Sequence, residues 1–305
     1  MNDISKVDYN EYVKTTDMFY VNEDVESRIE KEVQYATDTL RLRMKSIFTE
    51  RGLQSYIIED KDALDNLISI MNVSSEKFKR VITTLRLEKG HEISSEWDLS
   101  KIRAMMIERP AFMEEVCHLL REGATDPKYK KMIPGFYLEN FVINESTKAR
   151  LSNPDDLRRL IKKSVEGRYN INVGTAYFKA VQKKVDRFCF EEGLTYAVKK
   201  EVPLIGQLAD FAIPNEKNPS LIIMLSYNIT TSSTQTRYKE SAEKVSTTIR
   251  NYNYSADKPV AFVNILDGAG WVGRQSDLRA IYMCSTYILH LSTIDNLKLI
   301  IKKYC

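Results

Sequence analysis

Leu208–Asn228 reads LADFAIPNEKNPSLIIMLSYN, and Pro259–Trp271 reads PVAFVNILDGAGW. The first stretch holds two strands, QLADFAI and SLIIMLSYN, joined by a loop with two prolines. SLIIMLSYN is a continuous apolar run of the kind buried in the middle of a sheet. VAFVNIL is a third apolar run, closed by the tight turn Asp267-Gly268-Ala269-Gly270-Trp271. Working outward, LTYAVKKEV reads as a strand before this unit, and a helix opening at Asn172 or Thr175 and stopped by Gly193 precedes it. Its apolar face is Ala176, Val181, Val185 and Phe188, and Lys179, Lys183, Lys184 and Arg187 lie opposite. Downstream come a helix from about Thr236 to Arg250, a helix around Asp277 to Tyr282, and a last strand, YILHL. This alternation predicts an α/β (α+β) fold, a mixed central sheet with helices on its faces.

Residues 1–125 read differently. Apolar residues recur at three- and four-residue spacing through Leu64, Leu67, Ile68 and Met71 and again through Ile102, Met105 and Met106, with Pro110 opening the next helix and Gly123 ending it. Turn formers fill Asp126 to Pro134, and Asn153 and Pro154 start a short basic helix, DDLRRLIKKS. The expected organisation is a mainly helical domain over 1–160 and the α/β domain over 161–305.

The 305 residues carry a net charge of +3, unevenly spread: 23 basic against 27 acidic residues over 1–150, and 22 against 15 over 151–305. The basic half is also the one with the strand unit, which suits a polyanionic partner. The longest apolar runs fall short of a membrane span and the N-terminus lacks a signal-peptide pattern, so a soluble, cytoplasmic protein is expected. Cys117, Cys189, Cys284 and Cys305 are scattered without a CxxC pair, pointing to neither a zinc site nor a disulfide framework. His91, His118 and His290 have no partner spacing and read as packing or surface residues.

Asp210 lies at the first strand of the pair, and side chains alternate along the second, so Met224 and Ser226 share a face. A carboxylate at one strand beside a neighbour ending in polar residues is one half of a metal clamp; a single Asp near a strand end is also an ordinary turn residue. Met224 cannot complete the clamp, because a thioether is too soft for Mg²⁺.

The order of these segments resembles a type II restriction endonuclease of the PD-(D/E)XK superfamily, most like its DpnII-like, GATC-cutting family. The resemblance rests on DFAI at Asp210 to Ile213, MLSYN at Met224 to Asn228, TTSSTQ at Thr230 to Gln235 and LDGAGW at Leu266 to Trp271, over roughly residues 165–300. It implies Mg²⁺-dependent hydrolysis of double-stranded DNA at a short site by a homodimer whose two-fold axis matches the site's. The family's acidic position falls on Met224 and its polar third position on Ser226. In some superfamily members the strand carries Ser and the carboxylate has moved to the following helix, here TRYKESAEKV. Glu240, fourteen residues after Ser226, is then the expected second metal ligand beside Asp210, with Lys239 or Arg237 in place of the usual lysine. RYKESAEK is also what an ordinary solvated helix looks like.

The resemblance places Thr231, Ser232, Ser233, Gln235, Arg237 and Arg274 at the DNA backbone, where they would position the duplex without reading sequence. As plain turn chemistry the hydroxyl run is an N-cap for the next helix. Trp271 is expected to plug the core. The rival expectation is a catalytically silent DNA-binding protein or subunit that keeps the fold, with Met224 as its evidence.

Overall fold

In a computed structural model the described residues are 4–43, 45–89 and 95–305, the side chains of Ser146 and Arg150 excepted. They pack as two compact units, Glu26–Tyr169 and a second one made of Met1–Val25 with Asn170–Cys305.

The unit Glu26–Tyr169 is helical. It takes most of α2 (Glu23–Arg43), then α3 (Glu50–Glu59), α4 (Ala63–Ile70), α5 (Ser75–Glu88), α6 (Leu99–Glu108) and α7 (Pro110–Glu122). Short helices α8 (Pro127–Lys130), α9 (Gly135–Leu138) and α10 (Glu145–Leu151) follow, before the start of α11 (Pro154–Glu191). Thr49, Ser74 and Asp98 cap α3, α5 and α6 by accepting the amide of the third helical residue. The spacing read from the sequence is the buried face: Leu64, Leu67 and Ile68 on α4, and Ile102, Met105 and Met106 on α6. Pro110 opens α7 and Gly123 stands at its C-cap.

The second unit is α/β. Among the described residues five strands form one sheet in the order β1 (Ala197–Val202), β2 (Gln207–Ile213), β3 (Leu221–Tyr227), β4 (Ala261–Asp267), β5 (Tyr287–Leu289). β1–β2 and β2–β3 are antiparallel, whereas β3–β4 and β4–β5 are parallel. The parallel strands need crossovers, supplied by α12 (Ser233–Asn253) and by α13 (Ala269–Val272) with α14 (Gln275–Cys284); α15 (Asn296–Tyr304) ends the chain. β4 is buried at every position, as its unbroken apolar run requires.

Each sheet face carries a core. On one, Tyr177, Val181, Val185 and Phe188 of α11 meet Phe211, Ile223 and Val263. On the other, Ala242, Val245 and Ile249 of α12 and Leu278 and Ile281 of α14 meet Ile222, Phe262 and the fully buried Trp271. Tyr9 and Tyr12 of α1 (Tyr9–Thr15) belong to this second core, so the N-terminal segment is part of the α/β unit. The expected start of a helix at Asn172 or Thr175 is instead the middle of α11, which runs unbroken for 38 residues. No proline interrupts it after Pro154, and Gly167 and Gly174 alone do not stop a helix.

Candidate functional site

β2 and β3 are paired only from Phe211–Ile213 to Leu221–Ile223, although β2 begins at Gln207 and β3 runs on to Tyr227. β1 stays paired with β2 down to Gln207, so the sheet forks between β2 and β3. Asp210 stands at the first position past the fork, and its Oδ2 accepts the Leu225 N–H at 2.7 Å. Burial raises the Asp210 pKa, opposed by that N–H and by the Lys199 charge on β1. Nearby, the Tyr238 hydroxyl of α12 donates to Asn264 Oδ1 at 2.7 Å, and Gln207 Nε2 donates to Ser241 Oγ at 2.8 Å and faces Met224 Sδ at 3.9 Å. Ser226 Oγ accepts Asn228 Nδ2 at 2.7 Å. Among the described residues no second carboxylate takes part in these contacts.

Glu240 is not brought to this fork. Gln235, Tyr238, Ala242, Val245 and Ile249 form the inward face of α12, and Glu240, two residues past Tyr238, is turned about 200° from it at roughly 100° per residue. It is exposed, as is Arg237. Lys239 points to α14, its Nζ 4.0 Å from Asp277 Oδ1. Arg274 is engaged internally: it donates to Ser232 O at 2.7 Å and to Thr236 Oγ1 at 2.8 Å, and pairs with Asp277 at 2.7 Å. Thr231, Ser232 and Ser233 are exposed at the N-terminus of α12. Ser232 is its N-cap, in a box with the buried Gln235, whose Oε1 accepts the Ser232 N–H at 2.8 Å. Of the residues expected at the site, Asp210 and Ser226 lie on the strands at the fork, and the hydroxyl run lies at the head of α12.

Mg²⁺ in substrate-bearing sites is held by one or two carboxylates, waters and substrate phosphate. Asp210 fits as one such ligand: it is a half-buried carboxylate whose charge no ion pair balances among the described residues. Met224 offers no oxygen. Lys199, which the sequence reading passed over, is the cation whose field acts on Asp210.

A second constellation lies at the carboxyl ends of β4 and β5. Asp17, Asp267 and His290 each offer a ligand atom within 4.8 Å of the others, a group that could hold a metal ion. Asp267, the last residue of β4, is fully buried, and His290 follows β5 at 1% exposure. Asp267 Oδ1 accepts the Asp17 N–H at 3.1 Å; its Oδ2 accepts the Tyr177 hydroxyl and, at 2.7 Å, the Leu291 N–H. Burial pushes the Asp267 carboxyl up to about 7, against the pull of these donors. Burial likewise lowers the His290 pKa. The turn after Asp267 fixes the approach: Gly268, at φ +103°, donates to Asp17 O at 2.8 Å, and a Cβ there would meet Asn228 O at 2.2 Å. Sequence reading missed this group because Asp17 lies 250 residues before Asp267 and no spacing signals the three together; His91 lies outside the described residues.

The chain is thus a mixed α/β protein with a forked sheet and a buried Asp/Asp/His group beside it. No model of a known protein family matches it, and no curated protein does.

Proposed function

We propose that the α/β unit is the core of a restriction-type endonuclease that hydrolyses duplex DNA with Mg²⁺, and that Asp210 anchors the ion. The fork between β2 and β3, with Asp210 at its apex, is the observation that carries this reading. The order of α11, the β1–β2–β3 antiparallel strands, α12 and the parallel β4 agrees with the expected nuclease core. A Mg²⁺ ion at Asp210 would supply charge neutralisation at the phosphate and an acidified water. The chain's own part is to bind and orient. The Leu225 N–H fixes the Asp210 carboxylate, and the exposed hydroxyls at the head of α12 suit a backbone phosphate. The excess of basic residues over 151–305 favours the polyanion, and homodimerisation would match a two-fold site.

The second reading is a silent DNA-binding protein of the same fold, favoured by Met224 and by the outward Glu240. Incubation of unmodified plasmid DNA with Mg²⁺ separates the two. The enzyme reading expects cutting by the native protein, and by Glu240→Ala within about twofold, since surface changes away from the site cost little. Binding in a mobility-shift assay with no cutting would leave only the silent reading.

A further inference from the structure

We propose that Asp17, Asp267 and His290 form a structural site for a divalent transition-metal ion of the Zn²⁺ class, which pins the N-terminal segment across the ends of β4 and β5. This site is separate from Asp210 and does not depend on the nuclease reading. Three parts of the chain meet here, and each brings an acceptor that the surrounding hydrogen bonds leave open. Thr15 Oγ1 donates its proton to Glu11 O at 2.8 Å, so at 3.0 Å from His290 Nε2 it receives a proton from the ring. That fixes the Nε2–H tautomer and leaves Nδ1 as a lone-pair donor, and Nδ1 is buried with no partner. Asp267 Oδ1 has accepted a single N–H, and the hydrogen bond of Asp17 is made through Oδ2, from Ser292 Oγ at 2.6 Å.

Charge argues the same way. Two carboxyl groups and an imidazole lie together, and among the described residues no Lys or Arg pairs with either Asp. Burying like charges without a counter-ion is costly, and a divalent cation removes that cost. Two oxygens and one imidazole nitrogen suit a first-row transition ion; Zn²⁺ takes both ligand types at about 2.0–2.2 Å, while Mg²⁺ favours an all-oxygen shell that keeps its water. The outer contacts are those of a built site: Tyr177, Leu291 and Ser292 orient the carboxylates and Thr15 the imidazole. The segment so held also accepts the Gly268 and Ala269 N–H groups at Asp17 O and Met18 O, at 2.8 and 2.9 Å.

The test uses the full chain, stripped with a chelator and titrated with Zn²⁺ alone, read by calorimetry and by thermal unfolding. Stoichiometric binding with a higher Tm is expected, and Asp210→Asn keeps both. Asp17→Asn, a change at a partly exposed side chain, should fold yet weaken Zn²⁺ binding by about tenfold or more. His290→Gln gives a second variant with the same expectation. Failure of the stripped native chain to bind Zn²⁺, unchanged affinity in Asp17→Asn, or an equal rise in Tm with Mg²⁺ would overturn the proposal.

Discussion

Tyr177 holds the Asp267 oxygen that Asp17 does not reach, and Tyr177 and Asp267 are both buried. Removing the hydroxyl in Tyr177→Phe leaves a buried carboxyl one donor short, a loss of about 1–3 kcal/mol by urea denaturation. A loss of a few tenths would mean that Asp267 is satisfied without it. Glu115 in the helical unit is set differently: burial works to raise its pKa, but hydrogen bonds and charge from Lys89 and Lys128 outweigh it and hold the group below the usual range. A depressed folded-state pKa contributes stability above the ordinary Glu value, and that contribution fades as pH falls through the folded value. Glu115→Gln should therefore be less stable than the native chain at neutral pH, with the gap closing below about pH 4.5; a gap that is constant with pH contradicts this. Burial pushes the thiols of Cys117 and Cys189 up to about 12, whereas Cys305 is exposed. Alkylation of the native chain at pH 8 should label Cys305 and spare those two. At this scale the sequence made the core tryptophan legible and placed Asp210 on the strand where it stands. It could not show that Glu240 turns outward, which depends on how α12 is rotated on the sheet, nor that Asp267 and His290 are neighbours.

Elements were the most legible level. The strands of the sheet match the segments read as strands from the sequence, most plainly β4, because a run buried on both faces has few other places to go. The long α11 was read as two helices, since glycine and asparagine punctuate it without breaking it. The turn Asp267–Trp271 was read as tight, and its reason is the close approach of the β3–α12 connection. A Cβ on Gly270 would stand 2.4 Å from Thr230 O and 2.8 Å from Thr230 C, both backbone. Gly270→Ala should cost more than about 3 kcal/mol, as overpacking against a main chain that cannot yield. Ser232→Ala, which removes the N-cap of α12, should cost about 1 kcal/mol. A Gly270→Ala protein with native Tm would contradict the packing of this turn.

The two units share the chain unevenly. The N-terminal segment has little periodicity of its own, and its place is set by contacts with residues more than 250 positions away, such as the Tyr12 hydroxyl donating to Leu266 O at 2.6 Å. A chain cut to residues 161–305 loses Tyr9 and Tyr12 from one core and should not show the cooperative unfolding of the full protein. The site at the fork makes a stronger demand on the whole molecule, because the proposed DNA cutting would draw on Asp210, the head of α12 and the sheet together. The most direct measurement is the rate at which unmodified duplex DNA is cut with Mg²⁺ by the native protein and by Asp210→Asn. The account predicts discrete fragments from the native chain and a rate lower by about a hundredfold or more in the variant, with DNA binding retained. Intact DNA after incubation with the native protein, or cutting by Asp210→Asn at the native rate, would contradict it.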